Sequence, residues 1–191
     1  TTGIDLSNGM VMALSGVLIA SFAAQKGLNP WLAILIGLVI AMAFGMLNGG
    51  LVTGIGLPAF IVTLGTMNIA YALTRIYTTS TITNLPKELT FLGETFNVAG
   101  TAIAYGTVLM IILYAITWFV MKYTAPGRSV FAVGDNIEAA RLAGINTKRV
   151  LLGVYTFAGL AYGIAALLQV ARTGVGDPQA GQTSNLDSIT A

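Results

Sequence analysis

Long apolar runs alternate along this chain with short polar breaks, and no charged side chain interrupts the runs. Asp, Glu, Lys and Arg are absent between Asp5 and Lys26, between Lys26 and Arg75, between Glu94 and Lys122, and between Arg149 and Arg172. A helix crosses the ~30 Å hydrocarbon core with roughly 20 apolar residues, so each gap has room for one crossing and the second has room for two. The pattern predicts spans at about 9–25, 31–53, 58–77, 97–121 and 150–171. Asn29-Pro30 parts the first two, with Pro30 suited to a first helical turn. Gly54-Ile55-Gly56-Leu57-Pro58 breaks the long central run in two.

Composition closes off the soluble alternative. The chain is 55% hydrophobic and 8% charged, with a mean hydropathy of +0.82, whereas a soluble domain carries about 25% charged residues. The fold class that follows is an all-α integral membrane protein, a polytopic transmembrane helix bundle. With no cysteine and no histidine, the chain has no disulfides, no thiolate metal sites and no side chain that ordinarily titrates near neutrality. The net charge of +2 reads as loop asymmetry, not as affinity for nucleic acid.

That asymmetry orients the chain. Segment 122–149 holds Lys122, Arg128, Arg141, Lys148 and Arg149, while 78–96 holds only Lys87. Positive charge favours the cytoplasmic side, which places 122–149 inside and the polar connector 78–96 outside. The pairs Gly45/Gly49, Gly50/Gly54 and Gly159/Gly163 have the spacing at which helix backbones approach closely in lipid.

Within 122–149, Gly134-Asp135-Asn136-Ile137-Glu138-Ala139-Ala140-Arg141-Leu142-Ala143-Gly144-Ile145 spells a helix of about two turns. Asp135 can cap it with Glu138 reaching back, Glu138 and Arg141 can pair on one face, and Gly144 supplies a left-handed stop. The residues alone fit a docking element and an ordinary solvated loop helix equally well.

Several runs resemble the permeases of the ribose/xylose/fructose branch of bacterial ABC sugar importers. They are Gly3-Ile4-Asp5-Leu6-Ser7, Leu57-Pro58-Ala59-Phe60-Ile61-Val62-Thr63-Leu64-Gly65-Thr66-Met67, the stretch from Pro126 to Ile145, and Gly176-Asp177-Pro178-Gln179-Ala180-Gly181-Gln182 leading to Leu186-Asp187-Ser188-Ile189. Ala180-Gly181-Gln182 and Asp187-Ser188-Ile189-Thr190-Ala191 are closest to the fructose type. Asn8 and Met10 stand where the family usually has small residues, and Asp135 replaces a frequent glycine.

The resemblance implies a fragment, residues 1–191, of a single importer transmembrane domain in the cytoplasmic (inner) membrane. Gly134, Asp135, Asn136, Glu138, Ala139, Ala140, Arg141, Gly144 and Ile145 would couple it to a cytoplasmic ATPase. A second permease copy or homologue would complete the pathway, and an extracytoplasmic binding protein would deliver a monosaccharide. No Gly-Lys dipeptide occurs in the chain, hence no phosphate loop of the Walker type. ATP would be used by the partner, with no cofactor bound by this chain.

Polar residues at membrane depth are the candidates for the pathway. Asp5 and Ser7 open a span of only about 17 apolar residues, roughly 25 Å long, which suggests a broken helix starting below the membrane surface. Asp187 opens the last apolar run in the same way. Asn48, Thr63, Thr66 and Asn68 add hydroxyls and amides, which suit an uncharged sugar; each could equally serve to bond helices together. A stand-alone secondary transporter or channel is the alternative, although the span interiors lack the carboxylates and histidines that proton coupling favours. A non-transporting scaffold would leave the capped helix without a role.

Overall fold

The structure is a computed structural model, and it describes residues 3–98 and 101–182. Among these the elements follow in the order α1 (Asn8–Ala24), α2 (Pro30–Gly50), α3 (Ala59–Tyr77), α4 (Lys87–Thr90), β1 (Thr95–Val98), β2 (Thr101–Ala104), α5 (Tyr105–Tyr123), α6 (Ala125–Asp135), α7 (Ile137–Leu142) and α8 (Thr147–Thr173). The result is a helical membrane bundle with one small two-stranded ladder.

The sequence of α1 is apolar on every side, and a helix of that kind must be covered all round. It occupies the centre, with Val17, Ile19 and Ala20 wholly buried, and packs against α2, α3 and α8. Its few polar side chains find partners inside the protein. The Ser15 hydroxyl donates to the Gly37 carbonyl at 2.8 Å, and the Ser21 hydroxyl shares a 2.8 Å hydrogen bond with that of Tyr77.

The outer helices carry their apolar residues outward. Leu32, Leu35 and Val39 of α2 and Ile61, Ile69 and Ile76 of α3 are exposed, and α5 has no buried residue. Pro30–Ile55, α3, α5 and α8 are long and apolar enough to cross a membrane, while α1, at 17 residues, is shorter.

α2 and α8 meet backbone to backbone. A methyl group at Gly45 would collide with the Tyr155 carbonyl oxygen, and one at Gly159 with that of Ala41; Gly163 rests on Leu38 and Ala41. Two of the three glycine pairs thus form one interface, where absent side chains allow dispersion contacts between backbones. The third pair, Gly50/Gly54, has open space beside it.

Four boundaries differ from the sequence reading. Helix α5 begins at Tyr105 and not near 97, because Thr95–Val98 and Thr101–Ala104 pair antiparallel, with Phe96 opposite Ile103. Runs this rich in Thr, Phe, Val and Ile suit a pleated ladder. The break near 54–57 falls at its end: α2 continues as a π-helical turn over Leu51–Ile55, and Gly56 in the left-handed region (φ 79°) stops it. Connector 78–96 is not merely polar, since it buries Ile82 and Leu89 against the bundle. Segment 122–149 contains two helices, because Thr124 caps α6 through its side chain and a proline stands in the first turn.

Over residues 174–182 the chain turns back along α1 without forming a helix. Gly176 bridges to Ile82 through paired backbone hydrogen bonds of 2.9 Å. It lies against Ala20, and Gly181 against Gly9. Irregular backbone at this depth is tolerated only where protein covers it, and the small residues of α1 provide that cover.

Candidate functional site

A chain of hydrogen bonds joins the segment before α1 to the helices around it. The Asp5 carboxylate accepts from the Ser7 backbone N–H at 2.8 Å and from the Ser7 hydroxyl at 2.6 Å, an Asx turn that hooks the chain into α1. Its other oxygen accepts from the Tyr162 hydroxyl of α8 at 3.0 Å. The Ser7 hydroxyl in turn accepts from the Asn48 amide at 3.0 Å, and the Asn48 carbonyl accepts from the Thr66 hydroxyl at 2.7 Å. Thr63 clamps the segment from α3, accepting from the Leu6 N–H and donating to the Ile4 carbonyl, both at 3.2 Å.

Ser7, Asn48, Thr63 and Thr66 are buried and Asp5 is half-buried. Buried polar groups without partners are costly, and here each satisfies another. Tyr162 lies roughly 22 Å along α8 from its start at 1.5 Å per residue, so α1 begins well inside the bundle. Asn68 stands apart on the exposed face of α3, where its amide donates to the Leu64 carbonyl at 2.8 Å. Asp187 lies outside the described residues.

The pattern of polar residues does not point to Tyr162 and Tyr155. They stand seven positions apart, on one face of α8, and an aromatic with a polar tip at membrane depth was the available signal. The Tyr155 hydroxyl is buried against Gly3 and, among the described residues, has no hydrogen-bond partner. Tyr155 also walls a crevice of about 500 Å³ bounded by Gly3, Val52, Ala59, Asp135 and Asn136. The crevice lies between Gly3 and Ala59 on one side and the junction of α6 and α7 on the other.

That junction is capped differently from the sequence expectation. Asp135 ends α6, and Asn136, extended at φ −150°, caps α7 by accepting from the Ala139 N–H at 2.9 Å. The amide side chain has the same reach as the carboxylate, and one residue decides which helix each belongs to. At the other end Gly144, at φ 84°, forms a Schellman stop: its N–H bonds the Arg141 carbonyl and that of Ile145 bonds the Ala140 carbonyl, both at 3.0 Å. Within α7 only Ala140 is buried; Glu138, Ala139 and Arg141 are exposed. Leu142 is 88% exposed, with Phe131 and Ile137 also open. Gly134, Asp135 and Asn136 line the crevice above.

These features define a multi-pass membrane bundle with a polar interior and a capped helical elbow on one face. The whole chain, residues 1–191, matches the family described as "Branched-chain amino acid transport system / permease component", and the chain belongs to that family. It is similar to the fructose import permease protein FrcC of Rhizobium meliloti, 40% identical over the whole chain and 55% of the relative. The ribose import permease protein RbsC of Bacillus subtilis is 35% identical, over the whole chain and 59% of the relative. The D-allose transport system permease protein AlsC of Escherichia coli is 34% identical, over 94% of the chain and 54% of the relative. The chain therefore spans a little over half the length of these curated relatives. No solved structure matches the chain significantly.

Proposed function

We propose that the chain is the membrane-spanning part of an ATP-driven importer of a monosaccharide in the cytoplasmic membrane. Helices α6 and α7 are the handle by which a separate cytoplasmic ATPase moves it. The observation that carries this reading is Leu142, 88% exposed on a helix fixed at both ends by caps. An ordered, unpartnered leucine on a polar loop is the kind of apolar anchor that interfaces use. Glu138 and Arg141 beside it supply charge for orientation and registration.

A second permease copy or homologue completes the pathway, and an extracytoplasmic binding protein supplies the sugar. The hydroxyls, amide and carboxylate of the network at Asp5 lie on the route, their mutual bonds exchanging for bonds to a polyhydroxylated solute as the bundle opens. Names of relatives favour a fructose-, ribose- or allose-like sugar. Affinity purification from a native membrane tests the assignment. An ABC-type ATPase should co-purify and be lost with Leu142→Asp, and uptake driven by an ion gradient without any ATPase would overturn it.

A further inference from the structure

We propose that α8 carries a binding site for one anionic phospholipid, with the headgroup at Arg149 and an acyl chain on either side of Gly153 and Phe157. Two grooves meet at these three residues. The first, about 660 Å³, runs between α5, α6 and α8 and is walled by Ile116, Val120, Val130 and Val154. The second, about 440 Å³, runs along the opposite flank of α8 beside Met42, Leu152 and Leu160. Both are apolar for most of their lining, and each is long enough to seat a stretch of acyl chain. Gly153 borders the open space where they meet: a Cβ there would meet no atom within 4 Å.

Arg149 sets the headgroup chemistry. Across α8 the pair Arg149 and Arg172 stand roughly 34 Å apart at 1.5 Å per residue, close to the ~30 Å hydrocarbon thickness. Arg149 is thus level with the lipid headgroups and exposed. Its guanidinium offers the planar fork that suits phosphate, and Lys148 beside it adds a second cation. The acidic groups of the same loop, Asp135 and Glu138, border neither groove. A cation where two acyl-sized grooves converge fits a two-chain lipid better than a protein helix, which would fill one groove and leave the guanidinium unmatched. The inference holds whichever side of the membrane the loop occupies.

The full chain in nanodiscs of mixed phosphatidylglycerol and phosphatidylcholine tests it, with retained lipid counted by native mass spectrometry. Wild type should keep one phosphatidylglycerol in preference to phosphatidylcholine. Arg149→Gln should lower that retention about tenfold, as should Gly153→Leu, which intrudes where the two grooves meet, whereas Arg172→Gln should leave it unchanged. A photo-crosslinker replacing Phe157 should capture lipid. Equal retention of the two lipids by wild type, undiminished retention by Arg149→Gln, or crosslinking chiefly to protein would overturn the proposal. Loss of ATPase association would leave these lipid readouts untouched.

Discussion

Gly45 and Gly159 face each other across α2 and α8 so closely that the Cα of Gly159 lies 3.0 Å from where a Cβ on Gly45 would stand. No side chain fits between them, and the two helices are the most closely joined pair in the bundle. Gly45→Val is expected to force them apart, at the typical overpacking cost of about 1–3 kcal/mol. Gly50→Val, with open space beside it, is expected to change little. Reversible unfolding in mixed micelles compares the two, and equal stabilities would show that the interface lies elsewhere.

The buried bond from Thr66 to Asn48 should show as a coupling energy. Removing Asn48 takes one hydrogen bond from each of the Ser7 and Thr66 hydroxyls, which keep acceptors at Asp5 and at the Val62 and Thr63 carbonyls. At about 0.5–1.5 kcal/mol per bond, Asn48→Ala is expected to cost about 1–3 kcal/mol. Thr66→Ala on that background should add much less than it does alone, a coupling within the usual 0.5–3 kcal/mol range for contacting residues. Strict additivity in the four-variant cycle would contradict the network.

Tyr162→Phe withdraws one of the three donors that the Asp5 carboxylate holds. A hydrogen bond to a charged group contributes about 1.5–3 kcal/mol, so a loss of that order is expected while the helix itself, unaltered in shape, stays in place. Hydrogen exchange at the amides of residues 4–7 should quicken, and unchanged protection would speak against this anchor.

At the elbow, Glu138→Lys is expected to uncouple ATP hydrolysis from uptake, and Leu142→Ala to weaken ATPase association about tenfold, equivalent to about 1.4 kcal/mol. Both side chains are exposed, so insertion and folding should be unaffected. Normal uptake by the charge-reversed variant would count against the handle.

Gly144→Val places a β-branched side chain at φ 84°, a conformation costing of order 1–3 kcal/mol for such a residue. The Schellman stop should open, and α7 should fray toward Ala140. Faster proteolysis within 136–145 and reduced ATPase binding are expected together; ATPase binding at the wild-type level would show that the stop is dispensable.

The membrane helices were legible because lipid exposes what water would hide: uncharged runs such as 31–53 and 150–171 have no other home. The glycine spacing on α2 and α8 was legible for a related reason, since close backbone approach needs small residues at fixed intervals. The start of α5 was not legible, because Thr95–Ala104 is as uncharged as a helix and hydropathy is blind to a two-stranded ladder. Helix α6 was hidden behind polar residues that read as loop, although Thr124-Ala125-Pro126 spells a helix start. For the polar interior, the sequence offers Asp5, Ser7, Asn48, Thr63 and Thr66 only as separate polar residues, and the structure gathers them. Tyr162 is hidden in the sequence because aromatics at membrane depth look like ordinary packing.

Helix α8 is a continuous rod of 27 residues. At its foot the caps of Asn146 and Gly144 bind it to the elbow, and further up it touches Asp5 through Tyr162. A rod does not store a push; it passes it on. A tilt imposed at Asn146 would arrive at Tyr162 as a sideways stroke, with no intervening hinge between the periphery and the polar heart of the bundle.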